Sequence, residues 1–146
     1  MKKIITSLFI LPLIISGTNA LHAQCNTTTV FTSSKTLYLD STNNILRTED
    51  ENTIIEISKT EILISPGNES GRTMKGTFIS NTCNWKVPFK EGKTVIKTVI
   101  ADPGDDPGAV TIVIEGKAGI VSLVVTIDNE PNKRIKVVAD KFEEKK

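Results

Sequence analysis

The stretch Val110–Ile127, VTIVIEGKAGIVSLVVTI, decides how this chain folds. Val110, Ile112 and Ile114 alternate with Thr111, Val113 and Glu115. Further on, Val121, Leu123, Val125 and Ile127 alternate with Ser122, Val124 and Thr126. A period of two sends every second side chain to one face, and the β-branched content suits a pleated, half-buried strand. The connection Glu115–Gly119 carries two glycines, which supply the positive φ that a short hairpin demands. An antiparallel β-hairpin is therefore expected here, with the first apolar stripe facing a core.

The same grammar extends outward in both directions. Asp102–Gly108, DPGDDPG, is a strong turn signal. Before it, Lys93–Ala101 reads as a strand with Val95 and Val99 on one face and Ile96 and Ile100 on the other. Val113 and Val124 likewise oppose the main stripe of the hairpin. Two-sided apolar character points to a closed barrel with apolar outer contacts, the centre of a sandwich, or a sheet that docks on a partner. Cys83, Trp85, Val87 and Phe89 alternate with Thr82, Asn84, Lys86 and Pro88, which puts the only tryptophan and a cysteine on one inward face. Pro88 has no N–H to give a ladder and fits a strand end or edge.

Nearer the N-terminus, Met74, Gly76 and Phe78 alternate, Pro66–Gly71 reads as a loop, and two short runs (Ile54, Ile55, Ile57 and Ile62, Ile64) flank Ser58-Lys59-Thr60. Those two runs form either a hairpin or one bent strand. Ser41–Asn44 and Glu49–Asn52 are polar clusters of turn type. Val30–Phe31 and Leu37–Leu39 are strands separated by a break at Ser33-Ser34-Lys35. At the other end, Ile135, Val137 and Ala139 alternate before a charged tail, Lys141–Lys146. The expectation is an all-β antiparallel meander of about eight or nine strands. Short connections between successive strands favour a meander over Greek-key crossings, and an up-and-down barrel is expected over a β-sandwich.

Residues 1–23 have the layout of a bacterial secretory signal peptide: Lys2 and Lys3, an apolar run Ile4–Ile15, then small and polar residues to Ala23. The apolar run is too short to span a bilayer, which takes about 20 residues. Cleavage is expected after Ala20 or Ala23, leaving residues 24–146 as a single β domain with no membrane span. Gln24 and His22 do not match a lipoprotein signal, so lipidation of Cys25 is not expected. Without Lys2 and Lys3, 16 basic residues meet 17 acidic ones, interspersed along the chain. That balance gives no footprint for nucleic acid. The location implied is exported, periplasmic or extracellular. There, the two cysteines, Cys25 and Cys83, are expected to form one disulfide.

The chemistry-bearing residues are sparse. The only histidine is His22, beside the cleavage region, so a Ser-His-Asp or Cys-His centre lacks its base within the domain. A carboxylate-based hydrolase would have to draw on Glu115, Asp128, Glu130 or Asp140. Asp102, Asp105 and Asp106 are candidate oxygens for a calcium ion, but Val113 stands where an EF-hand loop ends in a carboxylate, and a plain turn is the expected reading. No metal and no cofactor are expected. Trp85, Phe89, Tyr38 and Phe78 are the candidates for lining a ligand site or the core, alongside Phe31. The sequons at Asn26 and Asn68 would matter only in a eukaryotic secretory pathway.

Cys83-x-Trp85, Gly92-Lys93-Thr94, Ile114–Gly119 and Asp140–Glu144 together resemble small exported β proteins of bacteria, over roughly residues 76–144. Those proteins are similar to lipocalin-like or calycin-like meanders, although the Gly-x-Trp of true lipocalin first strands has no counterpart here. The resemblance implies a fold and no particular activity. The functional expectation is an exported, non-catalytic β module that binds a small apolar ligand or an envelope protein. A purely structural or adhesive secreted protein is the alternative, and a small carboxylate-based hydrolase the second alternative. A ligand binder would show a lined pocket near the barrel mouth.

Overall fold

The computed structural model describes residues 23–67, 69–102 and 104–146. The expected signal segment up to Leu21 and His22 lies outside them, as do Asn68 of the second sequon and Pro103. Nine strands follow a one-turn helix, α1 (Ala23–Asn26): β1 (Thr29–Leu39), β2 (Ile45–Ile57), β3 (Glu61–Pro66), β4 (Met74–Val87), β5 (Glu91–Ile100), β6 (Gly108–Lys117), β7 (Ile120–Ile127), β8 (Glu130–Val138) and β9 (Lys141–Glu144). Each of β2 to β7 pairs antiparallel with its successor, β8 pairs with β1, and β1 pairs with β2. The ring closes on itself as an eight-stranded up-and-down barrel, and β9 adds to the N-terminal half of β1. Closure leaves the barrel body without the free edges that invite aggregation.

The hairpin that fixed the fold forms β6 and β7, paired in one unbroken register from Val110↔Ile127 to Lys117↔Ile120. Its turn is tighter than expected: Ala118 and Gly119 alone take positive φ (51° and 81°), the signature of a two-residue type I′ turn. The first stripe points inward, with Ile112, Ile114, Val121 and Leu123 buried. The second apolar face forms a row on the outside, where Val95, Val113 and Val124 are neighbours across β5, β6 and β7.

Four expectations need correction. The polar cluster Glu49–Asn52 is strand, part of β2, because Thr48, Glu49 and Asp50 pair with β1 and Lys35 and Arg47 hold Asp50 and Glu49 by ion pairs at 3.6 and 3.1 Å. Tertiary pairing overrides a weak β-propensity there. Ser33-Ser34-Lys35 runs inside one continuous β1, opposite a bulge in which Glu51 and Asn52 of β2 face Ser34; Ser33 Oγ accepts from the Lys35 amide and donates to its carbonyl. The supposed tail contains β9, whose Phe142 turns into the core. Finally, the inward row of β4 stops at Trp85. A register shift between Trp85 and Val87 leaves Val87 exposed, and Phe89 lies in the following turn at φ 60°.

Consecutive connections alternate between the two ends of an up-and-down barrel. The β2–β3, β4–β5, β6–β7 and β8–β9 links lie at one end, and the β1–β2, β3–β4, β5–β6 and β7–β8 links at the other. The first end is filled. Phe142 packs against Phe31, Trp85 and Phe89 with ring centroids 5.7, 5.8 and 5.1 Å apart, in the tilted and edge-on geometries aromatic quadrupoles favour. The Trp85 indole N–H donates to Thr94 Oγ1 at 2.8 Å, so its burial leaves no polar group stranded. Gly116 makes room for that ring, since a Cβ there would stand 2.8 Å from it. The Cys25–Cys83 disulfide ties α1 to β4, and Gln24 Oε1 accepts from the Phe89 amide at 2.6 Å. This end is closed.

Candidate functional site

At the opposite end the inward side chains do not meet. They surround a cavity of about 340 Å³ to which all eight barrel strands contribute. Eight-stranded barrels sit at the size where side chains either fill the interior or leave room for one small ligand. What decides between these outcomes is side-chain bulk. The positions facing the open half are aliphatic, among them Ile55, Ile64, Ile100, Val110, Val125 and Ile127. Of the four ring contacts among the described residues, three belong to the closed end. Tyr38 is the one aromatic residue on the cavity wall.

The walls are apolar and the mouth is polar. Glu51, Arg72, Asp102 and Tyr38 line it, together with Thr36 and Thr53. Arg72 reaches from the one-turn 3₁₀ helix of the β3–β4 connection (Ser70–Arg72), and its Nη1 donates to Glu51 Oε1 at 3.1 Å, with Glu69 4.0 Å away. The Tyr38 hydroxyl donates to Glu49 Oε2 at 3.2 Å, while the Arg47 guanidinium lies 3.9 Å above the ring centre. Burial pushes the Tyr38 hydroxyl above its ordinary range; the Arg47 hydrogen bond opposes this and the Glu49 charge adds to it. Tyr38 therefore stays a protonated donor at neutral pH.

The β1–β2 connection beside the mouth is held by one carboxylate. Asp40 accepts from the Asn44 side chain and amide and from Thr42, at 2.8 to 2.9 Å. These bonds, the Asn44 side chain first, hold its carboxyl down to about 2. Immediately beyond, Ile45 and Leu46 are 61% and 67% exposed, an apolar tip next to the opening.

The structure disperses most of the sequence candidates. Of the four aromatic ones, Tyr38 lines the cavity. Trp85 is buried at the closed end, Phe89 lies beside it against Phe142, and Phe78 packs partly buried on the core. The carboxylates Glu115, Asp128, Glu130 and Asp140 lie in or beside three different turns, and none lines the cavity. Among the described residues no three of His, Cys, Asp and Glu are placed to hold a metal ion, Asp102, Asp105 and Asp106 included. No described helix is long and apolar enough to cross a membrane. Reading by residue type missed Glu51 and Arg72 because each looked like ordinary surface charge.

No family model, curated protein or solved structure matches this chain. Its function has to be read from the barrel and its cavity.

Proposed function

We propose that this protein is an exported, non-catalytic β-barrel that carries a small, mostly apolar molecule in the cavity at its open end. The observation that carries the reading is the cavity itself. An apolar hollow of about 340 Å³ with a few polar groups at its rim falls in the size and chemistry range of small-molecule sites. The leader-like residues 1–23 and the Cys25–Cys83 disulfide support export to an oxidising compartment. Held inside a barrel open at one end, the ligand would be used in a lipocalin-like manner.

The test is a titration of the mature protein with N-phenyl-1-naphthylamine, an uncharged fluorophore that brightens in apolar surroundings. Saturable binding of one probe per chain is expected in the natural protein and clearly weaker binding in Val125→Trp, which narrows the cavity from β7. Absence of saturable binding, or equal binding by the narrowed variant, would turn the account toward a structural or adhesive role or an envelope-protein partner.

A further inference from the structure

This inference rests on the cavity reading and concerns the polar end of the occupant. Most basic groups around the mouth, Arg134 excepted, are paired with carboxylates. Arg72 is matched by Glu51 and approached by Glu69, Arg47 is paired with Glu49, Lys35 with Asp50, and Lys133 with Glu130. Arg134 donates to Asn43 at the β1–β2 connection. Asp102, by contrast, lines the cavity and makes no ion pair among the described residues. Asp105 and Asp106 on the same connection, and Asp128 on the β7–β8 turn at the same end, add unmatched negative charge; Asp128 only accepts from Thr111 Oγ1 at 2.9 Å.

An apolar wall concentrates such a field into the opening, because low-dielectric surroundings screen it little. An anionic ligand would find its single cavity-lining cation, Arg72, already shared by two carboxylates. A neutral ligand would gain nothing from the exposed Asp102 carboxylate. A cation gains from both Asp102 and the rim aromatic, Tyr38, whose ring already holds the Arg47 guanidinium over one face. We propose that the cavity takes an amphiphilic amine, its apolar body filling the aliphatic hollow and its protonated nitrogen seated at the mouth beside Asp102. An alkylamine titrates near the lysine value of ~10.4 and is a cation at neutral pH.

The experiment is displacement of N-phenyl-1-naphthylamine by decylamine, decanol and decanoate, three ligands with the same apolar chain and different heads. At neutral pH and low salt, decylamine is expected to bind about tenfold more tightly than decanol, with decanoate weakest. The amine preference should shrink in high salt, and in Asp102→Asn the ratio of amine to decanol affinity should fall to about threefold or less. Decanol or decanoate binding as tightly as the amine would overturn the inference and leave the cavity reading standing. So would an undiminished amine preference in Asp102→Asn. If none of the three bound and the fluorophore also failed, the cavity reading itself would fall.

Discussion

The two ends of this barrel are built from the same strands and differ in what the strands carry inward. At the closed end, Trp85, Phe31 and Phe142 meet over Gly116, and a disulfide fixes α1 beside them. At the open end, valines and isoleucines face one another across a gap. With six aromatic residues in the domain, concentrating four of them at one end leaves the other hollow. Stability is expected to reside in the filled end and recognition in the empty one.

Substitutions should separate those roles, and the largest effects belong to the closed end. Trp85→Ala removes a buried indole and the hydrogen bond it donates to Thr94, and is expected to destabilise by about 3–5 kcal/mol in a denaturant titration. Loss of less than 1 kcal/mol would mean the aromatic cluster is not the anchor. Next comes the disulfide. Replacing Cys25 and Cys83 together by alanine opens a link across 58 residues, which the chain-entropy model values at about 4 kcal/mol. Calorimetry should show that fall while ligand binding survives in the folded fraction.

Smaller effects belong to the open end. Val125→Trp should weaken probe binding yet change stability by no more than about 1–2 kcal/mol, since the larger ring has the cavity to enter. A variant that unfolds instead would show that the cavity collapses in solution. Arg72→Ala breaks a partly exposed ion pair and should cost under about 1 kcal/mol while altering ligand affinity at the mouth. Asp40 gives the smallest and most specific signal. Its carboxyl is held down to about 2 from an ordinary 3.8, so its contribution to the β1–β2 turn is complete above about pH 4 and is lost as pH falls toward 2. Carbon-detected NMR of the Asp40 carboxyl should give a midpoint well below 3.8; a midpoint at the ordinary value would show that the turn does not hold in solution.

The fold was far more legible than the site. The β6–β7 hairpin could be read outright because its alternation is unbroken and its residues are β-branched. The closed meander followed from strand spacing and short connections, and the Cys25–Cys83 pairing from parity and compartment. Single apolar residues in charged surroundings gave no such signal: Phe142 sits among Lys141, Glu143 and Glu144, and its strand read as tail. Bulges were equally silent, so Val87 and Phe89 were placed in line with Trp85 when the backbone steps out of register there. The cavity depends on which end of each strand carries bulk, a property of long-range register. Tyr38 was reachable as an aromatic, but Glu51 and Arg72 became site residues only when β2 and the β3–β4 connection came together.

The most direct test of the division between the two ends is methyl and indole NMR of the mature protein, recorded as N-phenyl-1-naphthylamine is added. The account predicts shifts for the methyls of Ile64, Val125 and Ile127 at the open end, with Ile114, Val121 and the Trp85 indole unchanged. Shifts centred on Trp85 and the closed end, or spread over both ends alike, would contradict it.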